Sequence, residues 1–471
     1  IATTRANRKN TMQPNDVLSS DDALPRLVPQ FRDLLERGDG QGMADLIHSR
    51  PISDALRGFL RLDPGERALV LSMLPADTAA EIIDEAPSDI AAMLVEQLQA
   101  AKAADIIDEL DSDVGADVIG ELESPDAEAI LAEMNVDDAA NVRRLVAYDD
   151  ETAGGLMIAE AFTFGKGDTV GAVLQRVISG EEDFERYRGQ HPYIVDGLGR
   201  PVGVVSLRSL LTARRNATLE EIMVEPLTVP ASASLGELED LFEMHPFLGL
   251  PVVETDGGLV GVVSRTAVAD AAREHIESDA MKLQGVVGDE LRSMPLLLRS
   301  RRRLAWLSTN IFLNILAATV IASYEETLAA VIAIAFFLPM VSDMSGCSGN
   351  QAVAVTMREL SLGLVRPIDV FRVWSKEVSV GVINGVVLGI LIGIVAWLWM
   401  DNAALGLVIG AALLINTIIA VSIGGVVPLI VKRLGQDPAA ASGPLLTTIT
   451  DIAGFFLVLS IATLMMPALI Q

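Results

Sequence analysis

Cysteine is nearly missing from these 471 residues: Cys347 is the only one, which excludes an intrachain disulfide framework and a Cys-cluster zinc site. The four histidines, His48, His191, His245 and His275, are far apart and form no HxxxH or HExxH pattern. Aromatics make up 4% of the chain. No Walker motif is present, so ATP-driven pumping is not expected. Basic charge is scarce too, with 35 Lys and Arg against 63 Asp and Glu and a net charge of −28. Such a surface lacks the basic patch a nucleic-acid binder needs to neutralise phosphates. The opening run, IATTRANRKN, does not read as an apolar signal peptide.

Against these absences stands a hydrophobic content of 51%. High acidity and high hydrophobicity belong to different parts of the chain. Residues 1–302 hold 54 acids and 28 bases, whereas residues 303–471 hold 9 acids and 7 bases. About 20 apolar residues cross a bilayer as a helix. Five such runs are expected: Leu304–Ser323, a run from Leu328 to about Met357, Val378–Met400, Ala403–Val431 and Leu445–Leu469. Arg299, Arg301, Arg302 and Arg303 precede the first. Arg358, Arg366, Arg372 and Lys376 separate the second from the third, and Lys432 and Arg433 the fourth from the fifth. The loops at Glu325-Glu326 and Asp401-Asn402 carry no Lys or Arg. Positive charge marks the cytoplasmic side, so the soluble half is expected in the cytoplasm and the C-terminus outside.

Within residues 74–138, breaks recur about every 12 residues, at Leu74-Pro75-Ala76-Asp77, Ala86-Pro87-Ser88-Asp89, Leu110-Asp111-Ser112-Asp113 and Leu122-Glu123-Ser124-Pro125-Asp126. Pro suits a first helical turn and Ser or Asp an N-cap, so short stacked helices in a superhelical array are expected, with an irregular α-bundle as the alternative. Pro192–Asp196 and Pro201–Ser206 read as a β-hairpin before a helix over Leu207–Ala213. The same strand–turn–strand–helix pattern returns at Gly249–Val253, Leu259–Ser264 and Arg265–Ala272. The two copies resemble paired CBS domains. Residues 274–300 read as a long connecting helix at the membrane surface.

Ionisable groups inside spans are costly and point to function. Asp451 is the clearest, about seven residues past Pro444 and so roughly 10 Å into its helix. A cation path and a carboxyl paired with a neighbouring helix are the two readings. Ser342–Gln351 interrupts the second apolar run, and its glycines and small polar residues are expected to break the helix and expose carbonyls to a cation. A closely packed kink is the alternative, and for Cys347 the small side chain matters more than the thiol. Asn310, Asn314, Asn384, Asn416 and Thr417 are expected to hydrogen-bond between helices, and Gly385, Gly389 and Gly393 to bring helices close.

The order of parts, with Tyr148–Met157, Glu277-Ser278-Asp279 through Gly285-Val286, Gly349-Asn350-Gln351 before Arg358, and Asp437-Pro438 through Pro444 to Asp451, resembles the MgtE family of magnesium channels and transporters. The resemblance implies a multidomain membrane protein of the inner cell membrane, not an enzyme. Its parts would be an N-terminal tail over 1–20, an all-α superhelical N-domain over 21–157 and tandem α/β CBS domains over 158–223 and 224–273. A connecting plug helix over 274–302 and a five-helix transmembrane domain over 303–471 would follow. It implies a homodimer in the lipid bilayer that takes up Mg2+, with Asp451 as the pore carboxylate. Gly346, Gly349, Asn350 and Thr447 would line the same site. Glu277 and Asp279, with Asp270 as a further candidate, would sense cytosolic Mg2+ and close the path. The resemblance also makes a nucleotide a ligand to consider at the CBS pair. Ser209, after Arg208 where the family often has Asp, counts against it at the first module. A coupled carrier or exporter and a non-conducting Mg2+ sensor are the competing functions.

Overall fold

The computed structural model describes residues 20–179, 187, 190–286, 290, 294 and 296–470. The tail expected over 1–20 lies, but for Ser20, outside the described residues. The chain forms two compact units, residues 1–273 and 274–471.

The first unit opens with ten helices among its described residues: α1 (Ser20–Arg37), α2 (Gly40–His48), α3 (Ile52–Phe59), α4 (Pro64–Met73), α5 (Ala76–Asp84), α6 (Ser88–Val95), α7 (Ala100–Ile107), α8 (Ser112–Gly120), α9 (Ser124–Glu133) and α10 (Val136–Leu145). From α5 onward each helix packs on the one two further along, α5 on α7, α6 on α8, α7 on α9 and α8 on α10. The period of about 12 residues is therefore that of a superhelix. Pro75 and Pro87 stand at N-caps rather than inside the first turn. Asp63 and Glu66 form a capping box that starts α4 ahead of Pro64. Ile82, Ile83, Ile90 and Val95 are fully buried between the layers.

Two small sheets follow. β1 (Met157–Ile158), β2 (Thr163–Gly165), α11 (Val170–Ser179), β3 (Tyr193–Val195), β4 (Pro201–Val204), α12 (Leu207–Thr212), α13 (Leu219–Ile222), β5 (Val229–Pro230), α14 (Leu235–Met244), β6 (Gly249–Val253), β7 (Leu259–Ser264) and α15 (Arg265–Leu283) are the elements in order. One sheet runs β2-β3-β4 and the other β1-β7-β6-β5. Both expected hairpins, β3–β4 and β6–β7, are antiparallel. Their turns use Asp196, which accepts from the amides of Leu198 and Arg200, and Asp256, which accepts from Gly258. Gly199 and Gly257 supply the positive φ that such turns need. β1 joins the second module's sheet, pairing Met157 with Val263, so the division between the modules is not a simple cut along the chain.

The helix after β7 does not stop near residue 272. It continues as α15 to Leu283, where Gly285 takes a φ of +76°. The expected connecting helix over 274–302 is thus not a single helix, because residues from Leu296 belong to the first span.

The second unit adds α16 (Leu296–Ser323), α17 (Glu325–Ala330), a 3-10 turn (Ile332–Phe336), α18 (Leu338–Ser361), α19 (Val370–Met400), α20 (Ala403–Arg433), α21 (Pro438–Leu464) and α22 (Met466–Leu469). Among the described residues, five stretches are long and apolar enough to cross a membrane: Leu296–Ser323, Ile332–Ser361, Val370–Met400, Ala403–Arg433 and Pro438–Leu464. α20 is the central helix, packed on α18, α19 and α21. The expected glycine contact holds: a Cβ on Gly389 would lie 2.6 Å from the Gly410 carbonyl oxygen, and one on Gly393 2.9 Å from that of Gly406. α19 and α20 therefore meet backbone to backbone. Phe337, Val341, Val408, Leu413 and Val458 fill the core at one end of the bundle.

Candidate functional site

The expected helix break at Ser342–Gln351 is absent. α18 runs unbroken through these residues, so their carbonyls lie within helical hydrogen bonding. The irregular backbone comes earlier, at Val331 with φ −133° and ψ 76° before the 3-10 turn. A weak helix former such as Gly or Ser has nowhere else to place its backbone polar groups in an apolar medium, and the helix persists.

Asp451 lies deeper than expected. α21 begins at Pro438 and keeps Pro444 inside it, which puts Asp451 about 20 Å along the helix, near its middle. Its carboxylate is half-buried and accepts a hydrogen bond from the Ser342 hydroxyl of α18. Thr447 stands one turn before Asp451 on the same face of α21, and it is exposed. Gly346 belongs to the same neighbourhood: a Cβ there would lie 3.8 Å from Thr450 Oγ1. On α18, Asp343, Cys347 and Asn350 follow at helical spacing and are all exposed, a polar stripe on an otherwise apolar bundle.

Gly349 sits elsewhere. It is buried where α18 crosses α20, and a Cβ on Gly424 would clash with its carbonyl oxygen. Asp451, Ser342, Gly346 and Thr447 are brought together; Gly349 is spent on packing. Asn416 of α20 is completely buried beside them, with its amide donating to Ser345 Oγ and to the Thr450 carbonyl. That Asn416 would bond between helices was readable; that its partners adjoin Asp451 was not. Glu377 was missed, because the apolar run begins one residue after it. α19 already contains it, and its stem packs so close to α20 that a Cβ on Gly425 would lie 2.8 Å from Glu377 Cγ.

The three acids expected to sense a cation all stand on α15. Asp279 faces His275 at 3.8 Å. Glu277, two residues earlier, falls on the other flank of the helix and is exposed. Asp270 is exposed as well. Among the described residues no three His, Cys, Asp or Glu side chains converge to hold a metal ion. In the first module, Ser209 donates its backbone amide to Ser206, the N-cap of α12, and the two hydroxyls lie 2.8 Å apart.

The end of α15 is tied to the start of α21. Lys282 Nζ lies 3.0 Å from Asp437 Oδ2, and a Cβ on Gly443 would lie 3.4 Å from the Leu283 carbonyl oxygen. Asp437 also caps α21, accepting from Ala439 N at 2.8 Å and Ala440 N at 3.4 Å. Burial alone would raise the Asp437 carboxyl, but Lys282 and the two amides outweigh it and hold it below its ordinary value. A carboxyl depressed on folding contributes stability above its unfolded pKa and loses it as pH falls through the folded value. Lys282→Met is therefore expected to lower the melting temperature at pH 7, and the gap from wild type should close as pH drops below about 4. An equal gap at both pH values, measured by thermal unfolding in detergent, would show that the ion pair is not the cause.

The family model described as "MgtE: Divalent cation transporter" matches residues 338–461. The MgtE intracellular N domain matches residues 50–151 and the CBS domain residues 219–274. The Magnesium transporter MgtE of Enterococcus faecalis is 31% identical over 326 residues, 69% of this chain and 71% of that protein. That of Thermus thermophilus is 33% identical over 337 residues, 70% and 73% of the two chains. A crystal structure of the cytosolic domain of the Mg2+ channel MgtE in complex with ATP is 28% identical, with a TM-score of 0.46, over 52% of this chain and 99% of that one.

Proposed function

The chain belongs to the MgtE family of divalent cation transporters, and on that footing we propose that it carries Mg2+ inward across the cell membrane, passively and driven by voltage, past Asp451. It is a multi-pass membrane protein. The observation that carries the reading is a carboxylate midway along the fifth span, held by Ser342 and sharing a face with Thr447. No Lys or Arg occurs in residues 304–357, 378–431 or 434–471 to neutralise it. Mg2+ demands near-octahedral oxygen geometry and dehydrates reluctantly, so it suits one or two carboxylates that meet it with most of its water in place. Thr447, one turn before Asp451, would add a hydroxyl oxygen near that position, and Asn350, further along the exposed stripe of α18, an amide oxygen on the way to it.

A second copy of the chain completes the path in this reading. The stripe of Asp343, Cys347 and Asn350 is exposed on a single chain, and polar side chains at membrane depth face protein or water rather than lipid. Two-fold pairing would bring a second Asp451 to balance the divalent charge. The soluble half would lie in the cytoplasm, on the side of Arg299, Arg358 and Lys432, and the C-terminus outside.

Regulation by cytosolic Mg2+ is the finer part of the proposal. With 54 acids against 28 bases, residues 1–302 repel one another, and a divalent cation favours whichever conformation brings their surfaces together. Glu277, Asp279 and Asp270 contribute to that charge. A nucleotide at the CBS pair would be a separate ligand, tested by calorimetry with ATP and AMP.

The test is Mg2+ flux into proteoliposomes under an imposed voltage with internal Mg2+ varied. Flux that needs no ion gradient other than Mg2+, and that internal Mg2+ suppresses, is the expected result. Flux that requires a proton or sodium gradient would make the protein a carrier. Absence of flux at every internal Mg2+ would make it a sensor.

A further inference from the structure

Three spans meet at one buried amide. Asn416, at the centre of α20, has no exposed surface. Its Nδ2 donates to the Thr450 carbonyl at 3.1 Å, one residue before Asp451 in α21. It also donates to Ser345 Oγ, one turn along α18 from Ser342, the hydroxyl that binds Asp451. Gly454 makes room for it, since a Cβ there would lie 2.8 Å from Asn416 Nδ2.

Neither partner needs this amide for its own satisfaction. Ser345 Oγ already donates to the Val341 carbonyl at 2.6 Å, and the Thr450 carbonyl lies inside an unbroken helix. Asn416 meanwhile keeps its Oδ1 buried without a hydrogen-bond partner among the described residues, a destabilising arrangement. A fully apolar side chain there would leave no polar atom buried without a partner. What the amide does is fix the registry of α18 against α21 at the turn where Ser342 meets Asp451.

We propose that Asn416 is a positioning residue for the ion path: by tying Ser345 and Thr450 to α20 it sets where the Asp451 carboxylate stands, and so tunes Mg2+ affinity and selectivity. The proposal rests on Asp451 being the carboxylate past which the ion moves. Groups behind a metal-binding carboxylate shape its affinity, and their loss costs about ten- to a hundredfold.

The experiment compares wild type, Asn416→Leu, Thr356→Val and Asp451→Asn as full-length proteins in proteoliposomes. Thr356 makes a different buried bond between α18 and α20, to the Gly425 carbonyl at 3.2 Å, and is the control for lost helix packing. The readouts are the half-saturating Mg2+ concentration and the ratio of Mg2+ to Ca2+ flux. Asn416→Leu is expected to raise the first and lower the second about tenfold or more, whereas Thr356→Val leaves both near wild type. Ser342→Ala combined with Asn416→Leu should be no worse than the poorer single variant, because both act on one geometry. If Asn416→Leu is not recovered folded, Asn416→Ser, which is smaller and has one donor, reads the same quantities. Should the Asn416 variants match Thr356→Val while Asp451→Asn is inactive, the positioning role is wrong and the ion path stands. Wild-type behaviour of Asp451→Asn overturns both.

Discussion

Asp451→Asn is expected to cut Mg2+ flux at least a hundredfold while leaving the protein folded and no less stable. The substitution keeps the volume and an acceptor for the Ser342 hydroxyl, and it removes only the charge. A divalent ion at about 4 Å from a carboxylate gains on the order of 8 kcal/mol at an effective dielectric of about 20, and hydration and the partner charge reduce that gain. Retaining even a third of it exceeds 2 kcal/mol, and each 1.4 kcal/mol is about tenfold. Stability should move the other way. A half-buried carboxylate without a basic partner pays a desolvation penalty that the neutral amide escapes. The measurement pairs flux in proteoliposomes with thermal unfolding in detergent. Flux within about threefold of wild type, at an unchanged melting temperature, would remove Asp451 from the path, since the predicted loss is worth at least 2.7 kcal/mol.

What could be read in advance differed by region, and for physical reasons. The hairpins at Asp196–Arg200 and Asp256–Gly258 were legible because turn chemistry is local: an Asp side chain capping amides, then Gly199 or Gly257 at positive φ. The 12-residue period of α5–α10 was legible because α5, α6, α8 and α9 open on Pro, Ser or Asp, whereas α7, which opens on Gln99 and Ala100, left no such mark. Spans were legible as apolar runs but their ends were not. α19 starts at Val370, eight residues before its apolar run, since Arg372, Lys376 and Glu377 are helix-compatible yet invisible to hydropathy. Gly346, Cys347 and Gly349 suggested a broken helix by their behaviour in water, whereas in the bundle the helix persists through all three and Gly349 lets α18 approach α20. Asn310 shows the opposite error: its amide donates to the Trp306 carbonyl of its own helix, not to another. Asp451 stood out because a charge at membrane depth is rare. Ser342, Asn416 and Thr450 could not be tied to it without the packing of α18, α20 and α21, which no local pattern encodes.

The crossing of α18 and α20 carries the second large effect. A methyl on Gly424 would clash with the Gly349 carbonyl oxygen and lie 3.0 Å from the Gly349 carbonyl carbon and 3.1 Å from Ala352 Cβ. A Cβ on Gly349 would lie 2.8 Å from Leu446 of α21 and 3.1 Å from the Ala420 carbonyl oxygen of α20, so neither glycine has room for a side chain. Helices in lipid gain no hydrophobic drive to associate and depend on this close contact. An alanine in mid-helix ordinarily stabilises by up to about 1 kcal/mol relative to glycine. Gly346, in α18 as well, has room, with only Thr450 Oγ1 at 3.8 Å. Gly346→Ala should therefore raise the melting temperature slightly or leave it unchanged. Gly424→Ala should lower it despite the gain in propensity, because overpacking costs about 1–3 kcal/mol and a backbone neighbour cannot turn aside as a side chain can. A loss near the top of that range corresponds to a fall of roughly 6–12 °C in a domain of this size. Thermal unfolding of both variants in the same detergent decides it. Equal shifts for the two would mean that the close approach of Gly349 and Gly424 is not what holds the second span against the fourth.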